Sequence, residues 1–196
     1  RLDFAKKLLR KILAVLRETL AIPEIRMCAN EYSLINYEKV PSRATTIYRK
    51  AFLNEDKHGH DRSEEDDRIE GAEKFERFIA EKPHKVKGGQ LTPDELITKL
   101  IWTSKGSTEE SLLKAQYESL CLETAVDILK MIFEEASEEK TVASFIPNIL
   151  PMADVSGSMT GRPMDVAVSL TIFFSDFAHY LIDFLRKIVD LQNSSN

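Results

Sequence analysis

Cysteine is scarce in this 196-residue chain: Cys28 and Cys121 are the two thiols. They cannot form the disulfide framework of a small secreted domain, so an intracellular, cytoplasmic protein with reduced thiols is expected. Glycine and proline are also few, at 7 each, which excludes collagen-like, low-complexity and turn-dense all-β chains. No run of eighteen apolar residues occurs, so neither a transmembrane helix nor a membrane partner is expected. The first segment mixes Lys and Arg with apolar residues and has no small-residue cleavage site, unlike a signal peptide. There is no Walker A loop, no HExxH and no Ser/His/Asp order of note. A net charge of -5 gives no support to a generally basic nucleic-acid binder and leaves room only for a local patch.

With 43% hydrophobic and 30% charged residues, the chain can bury a core and stay solvated. From Asp3 to about Ala21, Phe4, Leu8, Leu9, Ile12, Leu13, Leu16 and Leu20 recur at helical spacing, with Lys6, Lys7, Arg10, Lys11 and Arg17 on the remaining face. We read a core-packing helix with a solvated face; a basic helix touching RNA or an anionic membrane is the alternative. Pro23 ends it. Pro41-Ser42-Arg43 opens a second helix with an apolar stripe of Ala44, Ile47, Tyr48, Ala51 and Phe52. Asn54 to Lys74 is densely charged, with the acidic cluster Glu64, Glu65, Asp66 and Asp67; His58 and His60 within it lack a fixed third ligand, so an exposed loop leading into a charged helix is expected there.

Phe75, Phe78 and Ile79 continue a helix that stops before Pro83. Thr92-Pro93-Asp94-Glu95 is a capping box with proline at the first helical position. Glu109 to Glu138 carries one long helix or two short ones, and its acidic end reads as a linker. Everything before about Lys140 is therefore expected to be helical, as stacked hairpins or an irregular bundle.

After Lys140 the pattern changes. Ile149-Leu150-Pro151-Met152-Ala153 reads as a short buried strand, with Pro151 an awkward member because it cannot donate to a ladder. Asp154-Val155-Ser156-Gly157-Ser158-Met159 follows, and Pro163 then opens a helix that is apolar nearly all round. Alternation in a tight loop can aim the Asp154 carboxylate and the Ser156 and Ser158 hydroxyls at one point. Such hard oxygens suit Mg²⁺ or Mn²⁺. One carboxylate leaves most of the coordination to water, so weak binding is expected.

Asp154 to Met159, after an apolar strand and before an apolar helix, resembles the first segment of von Willebrand factor A domains. Ile35-Asn36-Tyr37-Glu38-Lys39-Val40-Pro41-Ser42-Arg43-Ala44, Tyr48, Lys50-Ala51-Phe52, Ala115-Gln116-Tyr117 and Gly161-Arg162-Pro163-Met164-Asp165-Val166-Ala167 are similar to segments of an uncharacterised family of plant, protist and large-virus proteins. That family joins a helical module to a C-terminal A domain, and its helical module resembles the ring-shaped, RNA-binding TROVE module. The resemblance implies a mainly α fold: a TROVE- or HEAT-like helical-hairpin module over residues 1–140, then the start of a Rossmann-like α/β A domain over 141–196. Tyr180 to Phe184 would be its second strand. In such domains a Thr and a further Asp on later loops complete the metal site. No threonine follows Thr171, so the chain is expected to carry the first ligand loop alone.

The expectation is a non-enzymatic binding or scaffold protein. Asp154, Ser156 and Ser158 would hold the metal for the carboxylate of a protein partner. The helical module would bind structured RNA through Arg43, Arg49 and Lys50. A structural component of a larger assembly with a vestigial loop is the alternative, and a Mg²⁺-dependent hydrolase a weaker one, since the loop supplies a single Asp.

Overall fold

A computed structural model describes residues 2–135 and 150–194. Among them the protein is mainly helical, and its β pairing is limited to an isolated bridge between Glu55 and Asp61. The chain divides into two compact units, Arg1–Pro83 and His84–Asn196. The boundary expected at residue 140 lies outside the described residues.

The first unit contains α1 (Leu2–Thr19), α2 (Pro23–Cys28), α3 (Ser42–Phe52) and α4 (Asp66–Glu81), with 3-10 turns at Tyr32–Leu34 and Tyr37–Lys39. α1 has the expected periodicity, but none of its side chains is buried. This corrects the reading of α1 as a core helix: local spacing makes the helix, and no packing follows from it. Glycine is scarce where these helices end, and other residues take its place. After α1, α2 and α3 the left-handed position is held by Ala21, Asn30 and Asn54, at φ of 48°, 58° and 56°. Each end is closed by paired 6→1 and 5→2 bonds, as in Ile22 N to Arg17 O and Ala21 N to Glu18 O. Asn tolerates this conformation; Ala does so at a steric cost.

The core of this unit is aromatic. Tyr37, Phe52 and Phe75 meet with ring centroids 4.8–5.3 Å apart, in tilted and edge-on arrangements. α4 is stapled to the Tyr32–Leu34 turn along one face. Asp67 accepts from Tyr32 N at 2.5 Å, Ser33 N at 3.3 Å and Ser33 Oγ at 2.5 Å, and Lys74 Nζ donates to Ser33 O at 2.6 Å. Gly71 lies between them because a Cβ there would come within 2.6 Å of Tyr32 Cβ. Residues 67, 71 and 74 share this face through i, i+4 and i+7 spacing. Buried Arg68 stacks on the Tyr32 ring at 3.7 Å and donates from Nε to Asn54 Oδ1 at 3.1 Å.

The second unit is built on α5 (Pro93–Trp102), α6 (Thr108–Glu135) and α7 (Arg162–Ser194), packed pairwise. The capping box at Thr92 forms as expected, with Thr92 N donating to Glu95 Oε2 at 3.3 Å. The core joins Leu96, Leu113, Leu120, Cys121 and Leu129 to Phe173, Phe177, Leu181 and Leu185. Those four α7 residues recur every fourth position. Their stripe runs through Tyr180 to Phe184, which are helical, so the expected second strand is corrected. A short apolar run does not distinguish strand from buried helix, and here the longer register decides. The loop before α5 presses backbone to backbone on α6 at Gly88, where a Cβ would overlap the Gln116 carbonyl.

The expected strand at 149–153 is corrected in part. Ile149 lies outside the described residues, and Leu150 to Ala153 form no strand. A strand needs a neighbour to hydrogen-bond, and none of the described residues supplies one. One stretch, Arg162–Lys187 of α7, is long and apolar enough to cross a membrane by length and composition; 33% of it is buried inside the protein, and core helices pass the same test.

Candidate functional site

The Asp154 loop has no regular secondary structure from Leu150 to Ser156, where Ser156 is extended, and then turns through a 3-10 turn, Gly157–Met159, into α7. Met159 N donates to Ser156 O at 2.9 Å and Thr160 Oγ1 to Gly157 O at 2.7 Å, closing the turn. Gly161 takes φ +89° immediately before α7, a left-handed step that glycine makes without strain. Asp154 Oδ1 accepts the Ser156 N–H at 2.9 Å, and the Ser156 and Ser158 hydroxyl oxygens lie 2.9 Å apart. The backbone N–H of Ser156, then its hydroxyl, hold the Asp154 carboxyl below its ordinary range. The three side chains are brought together, and all three residues are exposed. Among the described residues no group of three His, Cys, Asp or Glu is placed to hold a metal ion. Any cation here would rest on one carboxylate, two neutral hydroxyls and water.

The other sequence candidates share one helix. Arg43, Arg49 and Lys50 are all on α3, with Arg43 and Lys50 exposed and two turns apart and Arg49 half-buried. Lys50 Nζ reaches Lys57 O at 3.3 Å, and the Asp56 carboxyl is lowered first by the His60 N–H, then by those of His58 and Gly59, with the Lys50 charge adding to them against an opposing desolvation. This basic end therefore borders an acidic loop. His58 and His60 are in that loop, as expected, with both backbone N–H groups on Asp56 Oδ1 at 2.7 and 3.0 Å.

Sequence reasoning missed two features. Tyr117 OH donates to Asp176 Oδ2 at 2.8 Å, linking α6 to α7 across 59 residues. An open cleft of 380 Å³ in the first unit is lined by Tyr37, Lys74, Arg77, Phe78 and Lys82 among others. No local spacing signals either one.

The described residues thus define a mainly α-helical protein with one exposed, oxygen-rich loop. The chain belongs to the family described as Domain of unknown function (DUF2828), which matches residues 2–126, from α1 into α6 and short of the Asp154 loop. It is similar to an uncharacterised protein, L728, of Acanthamoeba polyphaga mimivirus, with 26% identity over 170 residues. That match takes in 85% of this chain and 26% of the viral protein, so the chain spans about a quarter of the length of the curated relative it matches. No solved structure matches.

Proposed function

We propose that this chain is part of a non-enzymatic binding protein whose Asp154 loop presents a divalent cation, Mg²⁺ or Mn²⁺, to a carboxylate of a protein partner. The observation that carries this reading is that Asp154 and Ser158 are each hydrogen-bonded to Ser156 in one exposed loop, which keeps a carboxylate and two hydroxyls within a few residues of one another. The donor set fits a hard cation in kind, and in number it leaves the site to be completed by water and further anionic ligands. In the same reading, Asp154 to Met159 is the first ligand loop of a von Willebrand factor A-like domain. α7 is that domain's first helix. RNA is the proposed ligand of the helical module, through Arg43, Arg49 and Lys50 on α3.

Isothermal titration with Mg²⁺ and Mn²⁺ tests the loop. The expected result is binding in the millimolar range or weaker, abolished by Asp154→Ala. Micromolar binding lost on that substitution would mean that the site is already complete. Binding that survives it would place the cation elsewhere. For RNA, Arg43→Glu with Lys50→Glu should weaken binding of a structured RNA and flatten its salt dependence. Unchanged binding would rule out α3 as the RNA-binding element.

A further inference from the structure

α1 divides cleanly into two halves. At 3.6 residues per turn, Phe4, Val15, Leu8, Thr19, Ile12, Ala5, Leu16, Leu9, Leu2 and Leu13 follow one another around one side, with Thr19, the last residue of the helix, its one polar member. The opposite side carries Lys6, Arg17, Arg10, Asp3, Ala14, Lys7, Glu18 and Lys11. The apolar half is not packed: Phe4 is 73% exposed, Val15 63% and Leu9 56%, and no residue of the helix is buried. Cations stand at both borders of that half, with Lys6 and Arg17 along one edge and Lys11 along the other. Five cations against Asp3 and Glu18 leave the helix positively charged.

We propose that α1 lies in the surface of an anionic phospholipid bilayer, its apolar half entering the headgroup–acyl boundary and its border lysines and arginines reaching back to lipid phosphates and carboxylates. This arrangement uses both halves at once. A helix with one wide apolar face and a strongly charged opposite face, not apolar all round, has the character of an interfacial helix, which sinks about 5–10 Å. Long Lys and Arg stems at the borders cover apolar surface while their charges stay at the headgroups. A polyanion such as RNA would engage only the basic half and leave the leucines in water. A second copy of α1 would set cationic borders against cationic borders. The expectation of no membrane partner rested on the lack of a spanning segment, and a helix lying in the interface does not span.

The test is flotation of the full-length protein with phosphatidylcholine vesicles, with and without phosphatidylserine at about one lipid in four. The expected result is roughly tenfold stronger partition onto the phosphatidylserine vesicles, falling as salt is raised. Leu8→Glu with Ile12→Glu should abolish partition and leave the melting temperature and molecular mass unchanged. Lys6→Glu with Lys11→Glu should reduce partition several-fold. No partition, or equal partition onto both vesicles, would overturn the proposal. So would a lower melting temperature or a changed mass in Leu8→Glu/Ile12→Glu, since either result would mean that protein covers this face. RNA binding lost in Lys6→Glu/Lys11→Glu without any vesicle partition would assign the helix to nucleic acid instead.

Discussion

Asp67 and Asp154 make similar local contacts and stand in opposite surroundings. Each carboxylate takes a backbone N–H and a serine hydroxyl, from Tyr32 and Ser33 in one case and from Ser156 in the other. For Asp67 burial pushes the carboxyl up, but the Ser33 hydroxyl, the N–H groups of Tyr32 and Ser33 and the Arg68 charge outweigh it, so the group sits below its ordinary range. Its partners are 34 and 35 residues away, so its bonds hold α4 to the first unit's core. The bonds of Asp154 reach two residues along its own exposed loop. The same chemistry therefore fastens two segments at Asp67. At Asp154 it arranges oxygens and leaves lone pairs facing solvent. Long-range partners mark the structural carboxylate, and local ones leave the other available to a ligand.

This contrast sets the order of expected effects. Phe75→Ala, which empties the centre of the first unit's aromatic core, should cost about 3–5 kcal/mol in chemical denaturation and fixes the scale of that region. Asp67→Ala should cost about 1–2 kcal/mol, a value discounted for the partial exposure of the group. A loss within error would remove the distinction between the two aspartates. Because the folded Asp67 carboxyl is held below its unfolded value, its stabilisation is fully present above the unfolded pKa of about 4. It is lost as the pH falls through the lower, folded value. Acid titration of Asp67→Ala should therefore show a shallower loss of stability on that limb than the parent, and an identical limb would contradict the assignment.

The cysteines separate the same way. Burial, opposed by the Tyr117 hydrogen bond and reinforced by the Asp176 charge, pushes the Cys121 thiol up to about 11, whereas Cys28 is exposed. A thiol reagent near neutral pH should modify Cys28 in the native protein and reach Cys121 only on unfolding. Native modification of Cys121 would show that the α6–α7 core opens readily. The smallest effect is expected at the loop: Asp154→Ala should leave the denaturation midpoint unchanged. A clear destabilisation would make Asp154 a structural residue like Asp67.

Much of the helical framework was legible in sequence because its signals are local. The Thr92 capping box, the stop before Pro83 and the helical stripe from Glu109 onward each act within a few residues; the sequence leaves open whether that stripe is one helix or two. What the helices pack against was not legible. On α3, Ile47 of the expected apolar stripe is 67% exposed, while Ser42 and Thr45 are buried. Asp67 read as one member of an acidic run, since nothing nearby announces a partner more than thirty positions upstream. The Asp154 loop was legible as a spacing of oxygens, and its setting was not. A strand depends on its neighbours, and Leu150 to Ala153 find none among the described residues.

Whether Asp154, rather than any acidic residue, receives a cation is best decided residue by residue. Mn²⁺ can be titrated into the isotopically labelled protein while broadening of backbone amide signals is followed. Selective broadening from Val155 to Met159 is expected at millimolar Mn²⁺, reversed by excess Mg²⁺ and absent in Asp154→Ala, with Tyr32 and Ser33 beside Asp67 unaffected. Equal broadening around both aspartates, or loop broadening that survives Asp154→Ala, would contradict a cation site at this loop.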